Sequence, residues 1–547
     1  MEGPQVAFIV MMVALCGYFG SKLWYNLKGP SYAERIIRNS IPDDELLKHS
    51  GEFSKPELIK VTEGVYVAVG FALANSVLIE GPTGVVIVDV TESLESAAEI
   101  LKVFRNITSK PIKALIYTHN HADHTYGAKS FIEDHANPPE IWAHAGILHE
   151  FTRVFSTVNG ATYTRAMRQF GVFLPEQVNA GIGHRLQYGT DKATLGVVYP
   201  THFVHEQKTD IILAGIKMTI IHIPGETDDQ IGVWLPESKV LLCADDIYKA
   251  FPNLYAIRGT PSRDLMQWVD SLDLMLSYNA EFLVPSHTRP LIGKDEIKDT
   301  LIVYRDAIQL IHDQTVRFIN QGYTSDEIVE KVKLPKLLAM HPYLKEFYGT
   351  LAWSVKGVFT SYLGWFSGNP VDLQPFTLKN KSSRMVQLVG VDKMIEAAKA
   401  ALKEKDFQWA LELSTYILTY SPDNYEAREI KIDALTSLGA RQTSACGRNY
   451  YLTSAFEEAD VIKIKNSENN KKMGIKTLPI RQLFLAMPAR FKAEDCGSVN
   501  SSLLFSFTDS GEKVKITIRN SVSIVTFHEE EPSYDVKISV TEQIFRE

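Results

Sequence analysis

The stretch "THNHADHTYG", residues 118–127, decides the reading of this 547-residue chain. It places His119, His121, Asp123 and His124 within six positions. Two histidines separated by one residue can point the same way from an extended or turning backbone and share one ion. The adjoining Asp-His pair can then serve a second ion close by. Imidazole and carboxylate are ligands that zinc prefers, and two ions about 3.5–4 Å apart can activate a water and clamp a substrate oxygen. A merely histidine-rich polar loop would need no partners elsewhere. A metal site would, at the ends of other strands.

Those partners are present. Glu226 in "IPGET", Asp245 in "LLCADD" and His287 in "VPSHT" each directly follow an apolar run of strand character. The loop itself ends the run "PIKALIYTH" (111–119), which follows a helical pattern, "SLESAAEILKVFRNI" (93–107), and two β-rich stretches between residues 65 and 90. Functional groups at the C-terminal ends of strands in successive β–α units are the usual address of an α/β active site. The β-rich start and later strands at 215–225, 230–236, 239–246 and 280–288 predict two packed sheets with helices outside.

The composition is that of a globular protein: 45% hydrophobic and 22% charged residues. At this length the chain should form two to four domains. A net charge of -8 argues against nucleic acid as a partner. An anionic substrate would therefore need a local cationic site. Cys16, Cys243, Cys446 and Cys496 have no paired spacing, so neither a zinc ribbon nor a disulfide framework is implied.

The run "VAFIVMMVALCGYFG" (6–20) is uncharged, and with "SKLWYNL" it reaches membrane-spanning length. Residues 1–28 read as a membrane anchor or a signal segment; the preceding "MEGPQ" lacks the basic region of a signal peptide, so a single-pass anchor in an endomembrane such as the endoplasmic reticulum is expected. Lys22, Lys28, Arg35 and Arg38 follow the run and favour a cytosolic catalytic domain, whereas the sequons at Asn106, Asn380 and Asn500 would suit the lumen.

Beyond about residue 293 the pattern becomes helical, with apolar residues at three- and four-residue spacing in 298–322. Residues 392–439 read as packed antiparallel helices with Pro422 in a turn. After the polar stretch 466–472, residues 502–527 alternate apolar and polar in the manner of a β-meander.

With these motifs in view, the chain resembles a metallo-β-lactamase-superfamily hydrolase, and within that superfamily the linear alkyl sulfatases. The superfamily pattern H-x-H-x-D-H matches His119, His121, Asp123 and His124. Glu226 stands where most members have the histidine of "PGH", and the sulfatase branch uses glutamate there. "NLYAIRGTPSRD" (253–264) is similar to that branch's N-L-Y-x-x-R-G segment. The helical region resembles its dimerisation domain, and the tail a shortened sterol-carrier-like domain.

The resemblance implies an αββα sandwich over 57–300, a helical dimerisation domain over 301–460 and a small α+β domain over 473–547. It implies two zinc ions per chain, one on His119, His121 and Glu226, the other on Asp123, His124 and His287, with Asp245 between them. Asp123 would share in catalysis. Arg258 and Asn253 would bind the sulfate of a small amphiphilic ester, because a guanidinium offers two parallel donors to an oxyanion. Lys249, in "DIYKAFP", stands where the branch carries histidines; it could donate a proton or bind sulfate, but it is not an equivalent acid. Asp89 reads either as a partner to a histidine ligand or as a strand-end cap.

The implied activity is zinc-dependent hydrolysis of alkyl sulfate esters by a homodimer. Hydrolysis of a thioester, lactone or phosphoester by the same fold, and lipid binding without catalysis by a membrane-anchored protein, are the alternatives.

Overall fold

The computed structural model describes residues 31–190, 192–464 and 478–547. These fall into two compact units.

The larger unit, within residues 48–172, 179–369 and 478–547, holds the two sheets. The first runs β1 (Glu57–Thr62), β2 (Val65–Val69), β3 (Ser76–Glu80), β4 (Val85–Val88), β5 (Ile112–Ile116), β6 (Glu140–His144) and β7 (His202–Val204), each beside the next. It is antiparallel up to β4 and parallel from β4 to β7. The parallel crossover from β4 to β5 uses the helix Leu94–Arg105, whose first turn is capped by the Ser93 hydroxyl accepting from the Ser96 N–H at 3.2 Å.

The second sheet is β8 (Lys208–Leu213), β9 (Ile216–His222), β10 (Ile231–Leu235), β11 (Val240–Ala244), β12 (Phe282–Pro285) and β13 (Leu291–Ile292). Only β11 and β12 pair in parallel. The helix Leu265–Leu276 joins them, capped by Asp264, whose carboxylate accepts from the N–H groups of Met266 and Gln267.

Strand periodicity explains the layering. On β11, Val240 and Leu242 face the first sheet, packing with Val67, Val77, Val86 and Ile116. Their neighbours Leu241 and Cys243 face the other way, onto Trp268 and Leu272 of Leu265–Leu276 and onto Leu301 and Tyr304 of the helix Lys294–Ile319. Alternation with period two thus gives each strand one face to the opposite sheet and one to a helix. Leu78, Ile87 and Leu115 do the same toward Ala97, Ile100 and Phe104. The result is the expected αββα sandwich.

Gly225, in the turn between β9 and β10, has no room for a side chain. A Cβ there would lie 2.1 Å from the Asp246 carboxylate oxygen and 2.9 Å from Trp268. Gly225→Ala should therefore cost about 1–3 kcal/mol of stability, read as a lowered Tm in thermal unfolding.

The C-terminal domain is a four-stranded sheet of order β16–β15–β14–β17: β14 (Ser501–Phe507), β15 (Lys513–Arg519), β16 (Val522–His528) and β17 (Val536–Val540). The first three form the expected meander. The fourth returns to pair in parallel with β14, a long-range pairing that alternation alone does not reveal. Phe484 of the helix Ile480–Leu485 packs with Phe507 and Val514 beneath it.

The smaller unit, within residues 31–47, 173–178 and 370–463, is helical. Val391–Glu404, Phe407–Tyr420, Tyr425–Ala440 and Ala445–Glu458 pack each on the next, with Ala398, Leu413, Ile417 and Ile430 in the shared core. Pro422 lies in the turn between the second and third.

The membrane expectation requires correction. A crossing needs about 20 largely apolar helical residues, and among the described residues no helix is long and apolar enough. Lys294–Ile319 has the length, at 26 residues, but carries charges along it and buries its apolar stripe in the core. The anchor expected at residues 1–28 lies outside the described residues. The membrane as partner, the single-pass anchor and the endomembrane location are therefore withdrawn.

Candidate metal centre and substrate pocket

All seven proposed donors come from the larger unit and follow the ends of strands, Asp123 and His124 within the short helix Ala122–Thr125. β5 leads to His119, His121, Asp123 and His124; β9 to Glu226; β11 to Asp245; β12 to His287. Three positions beside them take left-handed backbone: Asp89 (φ 59°), Ala244 (φ 51°) and Thr288 (φ 64°). Non-glycine residues reach that region only when the surrounding structure enforces it, and such strain gathers at functional sites. Here the enforcement is visible: the Asn75 side-chain amide donates to the carbonyls of Pro285 and Thr288, at 3.1 and 2.8 Å.

Two triads of donor atoms result: His119, His121 and Asp245, and Asp123, His124 and His287, the atoms of each within 4.8 Å of one another. Asp245 lies between them. Its Oδ2 is 3.6 Å from His119 Nε2, 3.6 Å from His124 Nε2 and 3.3 Å from His287 Nε2. Asp123 Oδ2 lies 3.6 and 3.5 Å from His124 and His287. Glu226 stands just outside the first triad, its Oε1 4.0 Å from His121 Nδ1.

The far nitrogens of the histidines are held, so their near nitrogens face the centre. His124 Nδ1–H donates to Asp89 Oδ2 at 2.7 Å, and His287 Nδ1–H to the Leu73 carbonyl at 3.0 Å. His119 Nδ1 meets the Thr118 hydroxyl at 3.0 Å. Asp89 also accepts from the Thr118 N–H, the Thr118 hydroxyl and the Ser286 hydroxyl, each at 2.9 Å. It is thus a partner to a ligand and a tie between β4, β5 and β12.

Burial keeps His119 and His121 well below the usual imidazole pKa, hence neutral, the form that ligates. Burial also opposes charge on His124, but Asp245, Asp123 and Asp89 outweigh it and hold its pKa well above the usual range. Burial would likewise protonate Asp245, yet His287, His124 and His119 hold it well below the carboxylate range.

The donor set fits two divalent cations. His124 Nε2, His287 Nε2 and Asp245 Oδ1 are buried with no hydrogen-bond partner, a costly arrangement for polar atoms unless an ion takes their lone pairs. Imidazole with carboxylate is a donor set suited to zinc, and an ion bound there would displace the proton that the carboxylates otherwise hold on His124. The protein carries a binuclear zinc centre of this His/Asp type.

A partly open pocket leads to the donors. Its walls are largely apolar and aromatic, including Leu73, Phe170, Ile182, Leu186, Tyr188 and Tyr348. Arg258 enters from one side, its Nη2 donating to His121 Nε2 at 3.1 Å, its guanidinium 5.8 Å from the centre of the Phe170 ring and its backbone N–H donating to Gln169 Oε1 at 3.0 Å.

Two other candidates are placed elsewhere. Lys249 pairs with Glu52 at 2.7 Å and lines a separate pocket with Arg289 and Tyr343, so it is not brought to the donors. Asn253 is buried behind the site. Its N–H donates to the Tyr248 hydroxyl at 2.8 Å and its carbonyl accepts from Arg263. Two residues not singled out from the sequence do reach the centre, Arg263 and Tyr248, which bond the two oxygens of Glu226 at 3.0 and 3.1 Å. The only available signal for Arg263 was its place five residues after Arg258 in the same motif.

Residues 69–287 match the metallo-β-lactamase superfamily, and residues 324–460 match the alkyl sulfatase dimerisation family. A linear primary-alkylsulfatase of a Pseudomonas species is 37% identical over 466 residues, 82% of this chain and 87% of that one. An alkyl/aryl-sulfatase of Saccharomyces cerevisiae is 30% identical, covering 85% of this chain and 73% of its own. The structure of the stereoselective inverting sec-alkylsulfatase Pisa1 from a Pseudomonas species superposes with a TM-score of 0.87 at 27% identity, over 94% of this chain and 83% of that one. With the donor geometry and these relatives in agreement over most of its length, the chain belongs to the alkyl sulfatases of the metallo-β-lactamase superfamily.

Proposed function

We propose that this protein hydrolyses sulfate esters of apolar alcohols to the alcohol and sulfate. His119, His121 and Glu226 would hold one zinc ion, Asp123, His124 and His287 the other, and Asp245 would serve both. Zinc bound there supplies Lewis acidity and the activation of water near neutral pH.

The observation that carries the reading is a guanidinium at the junction of the metal donors and an apolar pocket. An alkyl sulfate has the matching form: an apolar chain ending in a tetrahedral anion. The chain would lie along Phe170, Leu186 and Tyr348, where burial of each methylene contributes about 0.8 kcal/mol and displaces water. The sulfate would meet Arg258, whose planar donors stay charged at any working pH. Asp89 would keep His124 in its ligating tautomer. Residues 57–300 are assigned to catalysis on this reading.

The test is turnover of a medium-chain alkyl sulfate by purified protein, followed by sulfate and alcohol release, with an acyl thioester and a phosphodiester in parallel. Release of sulfate with about two zinc ions per chain is expected. Turnover of a comparison substrate without any sulfate release would sink the proposal.

A further inference from the structure

Glu226, like Asp245, is a buried carboxylate of the donor set, and it stands beside His121. Burying a carboxylate is costly unless a charge and hydrogen bonds compensate it. The structure supplies both. Arg263, with a side chain 3% exposed, donates from Nη2 to Oε1 at 3.0 Å. The Tyr248 hydroxyl donates to Oε2 at 3.1 Å. The Asn253 N–H donates to that hydroxyl, and the Asn253 carbonyl accepts from Arg263 Nη1. The hydrogen bonds form a closed ring through Glu226, Arg263, Asn253 and Tyr248. Among the described residues, Glu226 is the only carboxylate within ion-pair distance of Arg263.

Arg263 differs from Arg258 in what it can reach. Arg258 lines the pocket that opens onto the donors, whereas Arg263 lines only a smaller neighbouring cleft, together with His121 and Glu226. Both of its terminal nitrogens are spent within the ring, on Glu226 and on the Asn253 carbonyl. Its hydrogen bonds are thus directed at a donor and at the backbone that holds it.

We propose that Arg263 is a positioning residue, which aims Glu226 at His121 and cancels its charge so that the two side chains together act as one neutral ligand. The proposal rests on reading these donors as a binuclear zinc site. It has a specific corollary: a ligand that is neutral by itself at position 226 needs no cation at position 263.

The corollary is testable by metal binding, without recourse to turnover. Protein stripped of metal is titrated with zinc against a competing chelator, and with cobalt(II) followed by its visible absorption, for the parent, Arg263→Met, Glu226→His and the double variant. Arg263→Met should weaken one of the two ions by roughly 10–100-fold and leave the other unchanged. Glu226→His alone should also weaken it, because Arg263 is left buried without its carboxylate. The double variant should bind that ion at least tenfold more tightly than either single variant, a non-additivity that marks direct coupling.

Additive losses would overturn the proposal. So would an Arg263→Met protein that binds both ions as the parent does while KM for the sulfate ester rises, since Arg263 would then be a substrate ligand. Should Arg263→Met fail to fold, the double variant still decides: two tightly bound ions support the proposal and one overturns it. A parent protein that binds fewer than two ions would instead sink the binuclear reading beneath it.

Discussion

Asp245→Ala should lower kcat/KM for an alkyl sulfate on the order of 10³-fold or more, equivalent to about 4 kcal/mol. The expectation follows from position. Asp245 Oδ2 lies within 3.6 Å of His119, His124 and His287, so it faces histidines of both triads. No other carboxylate in the centre does this: Asp123 approaches only the second triad, and Glu226 stands nearest His121. Losing Asp245 also leaves His124 with less of the negative potential that sets its charge. Zinc content should fall below two ions per chain in the same preparation, measured by elemental analysis beside sulfate release. Asp245→Asn keeps the shape and one oxygen but removes the charge, and it should lie between the parent and the alanine variant. A protein that keeps two ions and near-parental turnover after Asp245→Ala would show that the residue is not shared.

Arg258→Ala should lower kcat/KM roughly 10²–10³-fold, the range seen when one preorganised donor to a developing charge is removed. Unlike the first variant, it should retain both zinc ions, because Arg258 touches His121 only through its outer nitrogen. Arg258→Lys should recover little. An ammonium is a point charge without the planar fork that grips two oxygens at once, and it cannot at the same time lie over Phe170 and donate to His121 as the guanidinium does. If the loss falls mainly on KM, Arg258 holds the ground-state sulfate; if it falls on kcat, the contact strengthens as the ester bond breaks. Equal turnover by Arg258→Ala would remove the guanidinium from the mechanism.

Much of this centre could be read from the chain because strand ends are legible. An apolar run of five or six residues followed by histidine or a carboxylate places that side chain at a sheet's edge, whatever the remaining topology. That reading placed His119, Glu226, Asp245 and His287 beyond strand ends, and the spacing within residues 118–127 supplied His121, Asp123 and His124. The β-rich start and the later apolar runs likewise predicted two packed sheets.

Direction within loops was not legible. Lys249 follows Asp245 by only four residues, yet the chain turns between them and delivers its ammonium to Glu52. Arg263 ends the motif that contains Arg258, and only the closed fold shows that one faces the pocket and the other Glu226. The parallel return of β17 depends on a partner some thirty residues earlier in the chain, which local pattern does not encode.

The bonds made by Asp89 have a consequence for how the metal centre comes into being. One carboxylate joins the end of β4 to Thr118 and His124 after β5, and to Ser286 after β12, a separation of 197 residues. Closing so long a loop is slow and comes at the expense of chain entropy. The donors therefore converge only in a chain whose two sheets have already docked. An ion that binds this set selects the completed sandwich over every earlier state, and its binding free energy is added to the stability of the whole unit.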